Sequence, residues 1–260
     1  MNKADTFYGK VVRDLICDKN ASILVCGAQL EDRDVFRDLG LSNVLLSGMD
    51  DREFDYAPYK WVKMNAESLS FPDGSFDYVV IHTALHHTQS PHRVLTEMYR
   101  VGKKGILAFE GPDTFLVRIA EKYGLTQKYE VAGTYPGNGV NGTDIPNYIY
   151  RWTEREIEKT INTYAPSFRH KFIYKYGSLY PDGPDLSVAK RIIIKTLRPF
   201  YYLFVKIFPR QQNQLAFFVE KPGIPDSLYP WLYYNDDEKK IGVNYDWISK
   251  YYTRLKYRRT

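Results

Sequence analysis

The fold is decided by residues 66–105, which read AESLSFPDGSFDYVVIHTALHHTQSPHRVLTEMYRVGKKG. Pro72-Asp73-Gly74 predicts a turn, and the apolar run from Phe76 to His82 predicts a buried strand. Pro91 suits the first position of a helix, which is predicted over 90–101. A turn, a strand and a helix in this order indicate a repeating unit of an α/β fold.

The same alternation continues on both sides of this stretch. Short apolar runs predict further strands, with helices between them along the first half of the chain. The predicted strands are Ser22–Cys26, Asn43–Gly48, Trp61–Met64, Gly105–Glu110 and the later Lys171–Tyr176 and Leu215–Glu220. Apolar strands that alternate with helices are typical of a doubly wound, mostly parallel α/β sheet.

Ligands of such a sheet bind beyond the carboxyl ends of its strands. We therefore expect the functional residues just after each predicted strand. These positions are Gly27–Asp32, Asp50, Asn65–Glu67, His82–His87 and Glu110–Asp113. The loop Gly133–Asp144 contains four glycines and is a candidate lid over the same edge.

The distribution of charge limits the classes of partner. The chain has 260 residues and a formal net charge of +5. Two segments without acidic residues, 190–210 with six basic residues and 250–260 with five, carry more than this net charge. The rest of the chain is therefore acidic, which does not favour a nucleic-acid-binding body.

The sequence also limits the compartment. Cys17 and Cys26 are the only cysteines, which predicts no disulfide framework and fits a reducing environment. The N-terminal residues lack the apolar core of a signal peptide. The apolar stretch Ile192–Phe208 is interrupted by charged residues and a proline, so it is not expected to cross a bilayer. A cytoplasmic protein is predicted, with membrane association as an added possibility.

Residues Ile23–Glu110 resemble the class I S-adenosylmethionine (SAM)-dependent methyltransferases, in the branch that includes the quinone C-methyltransferases. The resemblance is best over 66–105, where F-P-D-x-S-F-D, a strand, L-x-H, a proline-started helix and a lysine-glycine turn follow in order. It implies a Rossmann-like seven-stranded sheet, SAM as the cofactor and methyl transfer as the activity.

The resemblance assigns roles to matching positions. Gly27 ends the first strand beside the methionine part of SAM, and Asp50 accepts hydrogen bonds from the ribose hydroxyls. Asn65, Ala66 and Glu67 border the adenine. At the sulfonium end lie His82 and Thr83, and His87 matches the histidine of L-x-H.

The first loop departs from the family pattern. The family has an acidic residue followed by G-x-G-x-G, whereas this chain reads VCGAQLED and keeps only Gly27 of the three glycines. Gln29 and Glu31 occupy the other two glycine positions. Glu31 or Asp32 is the carboxylate available to bind the cofactor ammonium in place of the missing acid.

Two histidines and the last residue of the fifth strand are candidates for deprotonating or binding the acceptor. His86 or His87 is a candidate base for a hydroxyl acceptor, since histidine titrates near neutral pH. Glu110 is a second candidate for base or for binding sugar-like hydroxyls. Packing or capping beneath the site is the alternative role of these residues. His82 and His86 have a spacing compatible with a metal only on a helix, and no metal ion is predicted.

The basic C-terminal segments have several readings. The stretch 190–210 predicts a basic amphipathic helix, which Pro199 should kink or break. Four roles are open for such a helix. It contacts an anionic membrane surface, it covers the active site, it pairs with a second copy of the chain, or it is buried apart from a narrow solvent-exposed stripe. We expect a methyltransferase domain over 1–221, with substrate-side insertions at 113–164 and 178–212, and a Tyr- and Trp-rich extension over 222–260 that closes over the substrate or stays exposed.

The sequence thus predicts a SAM-dependent methyltransferase that acts on a small-molecule or glycan acceptor, with O-methylation of a sugar or saccharide intermediate favoured. A quinone, lipid or polyketide-type acceptor is the alternative within this class. The degenerate first loop also supports a non-catalytic binding subunit. The methylated atom, whether O, N or C, and the oligomeric state are left open.

Overall fold

The computed structural model describes residues 2–49, 54–131, 137–179 and 187–252. Seven strands form the main sheet in the order β3-β2-β1-β4-β5-β7-β6, and among them only β7 runs antiparallel to its neighbours. The strands are β1 Ile23–Cys26, β2 Val44–Gly48, β3 Lys60–Lys63, β4 Phe76–His82, β5 Gly102–Glu110, β6 Lys171–Gly177 and β7 Gln214–Glu220. The predicted doubly wound, mostly parallel seven-stranded sheet is confirmed.

Seven α-helices lie in the described ranges, and four of them pack against the two faces of this sheet. They are α1 Phe7–Leu15, α2 Leu30–Asp38, α3 Pro91–Val101, α4 Phe115–Lys122, α5 Glu154–Tyr164, α6 Val188–Ile207 and α7 Tyr245–Tyr251. The bounds of α3 agree with the helix predicted over 90–101 to within one residue. Thr153 and Glu156 form a capping box at the start of α5.

Side chains of β1 alternate between two buried layers. Ile23 and Val25 pack with the layer that contains α1 and α2, while Leu24 and Cys26 pack with the layer that contains α3 and α5. Because neighbouring side chains of a strand point to opposite faces, a strand that is apolar at every position must be covered on both sides. The burial of all four residues of β1 follows from this arrangement.

The strand register aligns the carboxyl ends of the central strands. Cys26 of β1 lies opposite Ser47 of β2 and Ile81 of β4, and Ile81 lies opposite Ala108 of β5. The residues that follow these four positions therefore meet along the same edge of the sheet. This edge holds the candidate site.

Helix α6 is not broken at Pro199, where the sequence predicts a kink or a break. The helix runs without interruption from Val188 to Ile207 with Pro199 inside it. Lys195, whose carbonyl would have accepted the missing N–H, is an exposed residue. Within the described ranges, no helix is both long enough and apolar enough to cross a membrane.

The C-terminal extension packs away from the carboxyl edge. It contains a hairpin of β8 Leu232–Asn235 and β9 Lys240–Val243 before α7. Its backbone bonds to the segment just before β6, through Arg169 N to Ser227 O at 2.8 Å. Since β6 begins at the amino edge of the sheet, the expectation that residues 222–252 close over the substrate is wrong.

Candidate functional site

A cavity of about 640 Å³ opens at the carboxyl edge of the sheet. Its walls are built from the residues that follow β1, β2, β3 and β4, and an opposite wall comes from the glycine-rich loop. The strand-end residues are Gly27–Gln29, Gly48, Met49, Asn65, Ala66 and His82–Ala84, and the loop contributes Gly137–Gly139, Asn141 and Gly142. The part of the predicted lid loop that the structure describes therefore does line the cavity.

Most of the predicted cofactor residues meet at this cavity. Gly27, Asn65, Ala66, His82 and Thr83 all line it. Asp50, the predicted ribose ligand, lies outside the described residues. The five lining residues come from three separate loops, and only the parallel alignment of β1, β3 and β4 brings them together. Their individual roles toward SAM remain predictions.

Glu67 occupies a different place from the predicted one. Its Oε1 accepts hydrogen bonds from Gln89 N at 2.7 Å and Ser90 N at 3.2 Å, just before α3. A carboxylate is well suited to the N–H groups at a helix start. The structure places Glu67 at this cap and not among the cavity-lining residues, so the expectation that it borders the adenine is corrected.

The first loop keeps its glycine where the backbone requires one. Gly27 has a φ of +64°, and a Cβ at this position would lie 2.5 Å from Cβ of Ala84. A left-handed φ and a contact this close both exclude larger residues. Gln29 is the N-cap of α2, so the loop turns directly into the helix.

The two carboxylates expected to replace the missing acid both point elsewhere. Glu31 pairs with Lys3 at 2.9 Å near the surface. Asp32 is buried, accepts a hydrogen bond from Gln29 N at 2.7 Å and caps α2. The expectation that Glu31 or Asp32 binds the cofactor ammonium is therefore wrong, because the helix start uses one carboxylate and the surface pair uses the other.

A buried pair lies beneath the cavity. The hydroxyl of Tyr8 donates to Asp32 Oδ1 at 2.6 Å, and the ring of Tyr8 stacks on His82 with centroids 4.0 Å apart. Burial raises the pKa of Asp32 and, together with the Asp32 charge, holds the pKa of Tyr8 well above its usual range. The pair thus fixes the ring of His82 at the cavity wall through a stack and a short hydrogen bond.

Tyr8→Phe is expected to lower the free energy of unfolding by about 1.5–3 kcal/mol, because it removes a buried hydrogen bond to a charged group. Tyr59→Phe is the matched control, since the Tyr59 hydroxyl donates to the neutral Leu41 carbonyl at 2.6 Å. It should cost about 0.5–1.5 kcal/mol. Urea unfolding of both variants checks the difference, and equal losses would contradict the charged role of Asp32.

His86 forms a buried ion pair behind the cavity wall. It lies in a 3-10 helix, Leu85–His87, and its Nδ1 donates to Glu110 Oε2 at 2.7 Å. Burial alone would lower the pKa of His86, but the charges and hydrogen bonds of Glu110 and Glu130 raise it to about 10. His86 therefore holds its proton at neutral pH, which removes it as the general base in the metal-free protein.

Glu110 supports His86 and does not itself reach the cavity. Its Oε1 accepts hydrogen bonds from Leu85 N at 2.9 Å and from His86 N at 3.4 Å, and its side chain is fully buried. The sequence predicts His86, His87 and Glu110 as catalytic residues. The structure places the two histidines on the cavity wall and Glu110 behind them, where it can act only through His86.

His87 and Glu130 face each other across the cavity wall. His87 Nδ1 donates to the Asn138 carbonyl at 3.0 Å, and its Nε2 lies 3.3 Å from Glu130 Oε2. Burial and the neighbouring charge of His86 lower the pKa of His87. Hydrogen bonding to His86 is the main cause that lowers the pKa of Glu130. Glu130 was missed by the sequence reading because it lies in an irregular segment with no motif around it.

Thr83 carries backbone strain at the same wall. Its φ is +49°, which is unusual for a β-branched residue, and its N–H donates to the Phe109 carbonyl at 2.9 Å. The hydrogen bond to the neighbouring strand holds this conformation in place. Strain of this kind is concentrated at functional sites.

Comparisons with known proteins agree with this geometry. A family model described as "Methyltransferase domain" matches residues 41–109. The chain is 31% identical over 115 residues to the ubiquinone/menaquinone biosynthesis C-methyltransferase UbiE of Pseudoalteromonas translucida, covering 43% of this chain and 38% of the relative. It is 41% identical over 61 residues to the demethylmenaquinone methyltransferase of Anoxybacillus flavithermus, covering 23% of this chain and 26% of the relative.

Solved structures share the whole fold at low sequence identity. The YcgJ protein of Bacillus subtilis has a TM-score of 0.53 at 14% identity, with 83% of this chain and 97% of that chain covered. The PH0226 protein of Pyrococcus horikoshii OT3 has a TM-score of 0.51 at 10% identity, with 85% and 90% covered. The sequence match, by contrast, spans well under half the length of the curated relatives, and the matched domain stops at the end of β5.

Proposed function

We propose that this chain, which belongs to the class I SAM-dependent methyltransferases, transfers the methyl group of SAM to an acceptor that enters the cavity beside His87 and Glu130. The observation that carries the proposal is the position of the cavity. It lies at the carboxyl ends of β1 to β4, and the methyltransferase family match covers three of these strands and the residues after them. Ligands of such sheets bind at this edge.

The residues of the cavity fit SAM. The volume of about 640 Å³ lies within the range of about 300–1,000 Å³ that is usual for small-ligand pockets. Gly27 lines the cavity at the end of β1, where we expect its backbone to border the methionine part, and its lack of a Cβ lets this loop lie against Ala84. Asn65 and Ala66, after β3, are in position to border the adenine. When bound, SAM supplies a methyl group on a positively charged sulfur.

The chain's own residues hold the acceptor for in-line attack. The acceptor atom forms a bond to the methyl carbon, while the methyl–sulfur bond breaks and its electron pair stays on sulfur. A proton leaves the acceptor when the nucleophile is a hydroxyl. His87 Nε2 and the Glu130 carboxylate face the cavity and are the groups placed to receive it. Much of the rate in such a transfer comes from positioning.

The exposed side chains of α6 indicate the class of acceptor. This helix leaves β6 and returns to β7 at the carboxyl edge, where Lys190 Nζ bonds to the Gly124 carbonyl at 2.8 Å. Large apolar side chains on it are exposed, with Phe200 at 67% and Ile207 at 63%. Basic residues lie between them on the same helix. A basic, apolar surface at the carboxyl edge of the sheet, the same edge at which the cavity opens, favours an acceptor carried at an anionic membrane surface.

A lipophilic acceptor therefore replaces the saccharide as the preferred proposal. The comparisons give no support for a sugar, whereas the curated relatives are named for quinone methylation. The family match ends at residue 109, before the segments that would contact the acceptor. The exposed face of α6 is therefore the feature that supports a lipophilic acceptor.

Lys195→Gln with Lys206→Gln is expected to weaken binding to vesicles that contain anionic phosphatidylglycerol by about 30-fold, since each basic residue near such a surface contributes about 1 kcal/mol. Vesicle cosedimentation measures the change. Lys239→Gln with Lys240→Gln removes the same charge from the β8–β9 hairpin and should leave binding unchanged. Equal loss in both double variants, or no vesicle binding by the parent chain, would contradict the membrane proposal.

Calorimetry with SAM tests the cofactor half of the proposal. We expect saturable binding and a rise in melting temperature when SAM is present, because a ligand that binds only the folded state stabilises it. If millimolar SAM gives neither heat nor a shift in melting temperature, the methyltransferase proposal fails. That result would favour the non-catalytic binding subunit suggested by the altered first loop.

A further inference from the structure

Three side chains meet at the acceptor end of the cavity and form what we call the His–His–Glu cluster: His86, His87 and Glu130. One donor atom of each lies within 4.8 Å of the other two. The distances are 3.6 Å from His86 Nε2 to Glu130 Oε2 and 3.3 Å from His87 Nε2 to the same oxygen. All three side chains are largely shielded from solvent.

The other ring nitrogen of each histidine is already held by an acceptor. His86 Nδ1 donates to the Glu110 carboxylate at 2.7 Å, and His87 Nδ1 donates to the Asn138 carbonyl at 3.0 Å. Both contacts fix the ring orientation and turn Nε2 toward Glu130. Histidines that bind metals almost always donate their second nitrogen to a carboxylate or a backbone carbonyl in this way. Both histidines of the cluster therefore have the supporting contact that is typical of a metal ligand.

The two separations between the histidine nitrogens and the Glu130 oxygen match those around a single ion, and the two nitrogens lie within 4.8 Å of each other. Zinc bonds to imidazole nitrogen and carboxylate oxygen are about 2.0–2.2 Å long, and in a tetrahedron this places the ligand atoms about 3.4 Å apart. The observed 3.3 Å and 3.6 Å bracket that value. An ion can thus be accommodated with small shifts of the three side chains.

We propose that the His–His–Glu cluster binds a divalent transition metal of the zinc class, with an open coordination position that faces the cavity. Two imidazoles and one carboxylate suit zinc, cobalt or iron and disfavour magnesium and calcium, which prefer oxygen ligands. A site with three protein ligands keeps its fourth position for water or substrate, as catalytic zinc sites do.

A metal in the His–His–Glu cluster would restrict the acceptor to compounds with a hydroxyl group. This inference rests on the proposed function, methyl transfer from SAM. With a metal bound, His87 and Glu130 would be its ligands and would no longer receive the acceptor proton. A hydroxyl at the open position would instead lose its proton to cleft water, because the metal charge favours the alkoxide or phenolate. Its oxygen then forms the new bond to the methyl carbon, and the electron pair of the broken carbon–sulfur bond stays on sulfur. The acceptor is accordingly a hydroxylated compound, with O-methylation as the outcome.

The test uses the full chain after treatment with a chelator, titrated with zinc chloride in a calorimeter and with cobalt chloride in an absorption spectrometer. We expect one metal ion per chain and the visible bands of four- or five-coordinate cobalt. Glu130→Gln and His87→Ala should abolish these bands, and Glu110→Gln should weaken zinc binding by about 10- to 100-fold through His86. His92→Gln and His170→Gln, whose histidines lie outside the cluster, should bind zinc as the parent does.

SAM binding is measured on the same metal-free samples, so that the two proposals can fail separately. If SAM binds but cobalt gives no bands, the metal site is refuted and the methyltransferase proposal stands. If cobalt bands form without SAM binding, the site is correct and its assignment to methyl transfer is refuted. Zinc binding that survives in Glu130→Gln, a near-isosteric variant expected to fold, also overturns the site.

Discussion

Gly27→Ala is expected to lower the free energy of unfolding by about 2–5 kcal/mol and to weaken SAM binding more than about tenfold. A left-handed φ of +64° costs an L-residue about 1–2 kcal/mol. The new methyl group would also lie 2.5 Å from Cβ of Ala84, so one of the two loops must move. Both loops line the cavity, and any shift therefore changes the surface that SAM contacts.

Gly48→Ala is the matched control for this prediction. Gly48 is the last residue of β2 and also lines the cavity, but a Cβ there would meet no atom closer than 3.8 Å. Thermal unfolding should place its melting temperature near that of the parent, while Gly27→Ala should fall by about 10 °C. SAM calorimetry on both variants then separates a local steric effect from a general effect of adding a methyl group.

The double variant Gly27→Ala with Ala84→Gly tests whether the Cβ of Ala84 causes the loss of stability. Ala84→Gly removes the Cβ that the new Gly27 methyl would strike, so it should recover part of the stability lost in Gly27→Ala. The remainder reflects the backbone strain, which the second change does not touch. Coupling of this kind is expected for residues in direct contact. Strictly additive losses would show that the close approach to Ala84 does not matter.

The cofactor side of the site was predictable because it depends on strand ends. β4 was predicted with its observed limits, Phe76 to His82, and its carboxyl end places His82 and Thr83 at the cavity. Apolar runs and turn residues are local signals, and the register of parallel strands follows from burial on both faces. Position along the chain was therefore enough to bring Gly27, Asn65 and His82 together.

The same reasoning failed where a side chain had two possible partners. Glu67 follows β3 as expected, but the N–H groups before α3 compete for its carboxylate. The Asp32 carboxylate likewise accepts a hydrogen bond from Gln29 N at the start of α2. A sequence places such residues near an edge, but it does not decide which donor each carboxylate will meet.

The acceptor side could not be predicted at the level of single residues. Glu130 lies in an irregular segment and reaches His86 and His87 only because the chain returns across the cavity. No periodicity or motif marks such a residue. The basic helix was predicted from its composition, but its place at the carboxyl edge follows from the directions of β6, which ends there, and β7, which begins there.

Glu110→Ala is expected to lower the free energy of unfolding by about 3–5 kcal/mol, because it leaves the buried His86 charge without its partner. It also removes the acceptor of the Leu85 and His86 N–H groups. Glu110→Gln should cost less, since the amide oxygen can still accept both backbone hydrogen bonds. Urea unfolding at neutral pH measures both losses.

The pH dependence separates the ion pair from the packing in the chelator-treated protein. The pKa of His86 is raised from 6.5 to about 10, so the ion pair contributes fully below about pH 6.5 and its contribution is lost as the pH rises through about 10. The free energy of unfolding of the parent should therefore decline across this window. In Glu110→Gln the decline should be much smaller, because the charge that raises the pKa of His86 is reduced.

Glu156→Gln is the control for this pH effect. Glu156 also accepts a backbone hydrogen bond, from Thr153 N at 2.9 Å. The other contacts of its carboxylate are the Thr153 hydroxyl of the capping box and the Tyr150 hydroxyl at 3.1 Å, and none of them is a histidine of the cavity. The difference in the free energy of unfolding between Glu156→Gln and the parent should be the same at every pH from about 6.5 to about 10. If Glu110→Gln behaves like Glu156→Gln, then Glu110 is a packing residue, and His86 does not depend on it for its charge.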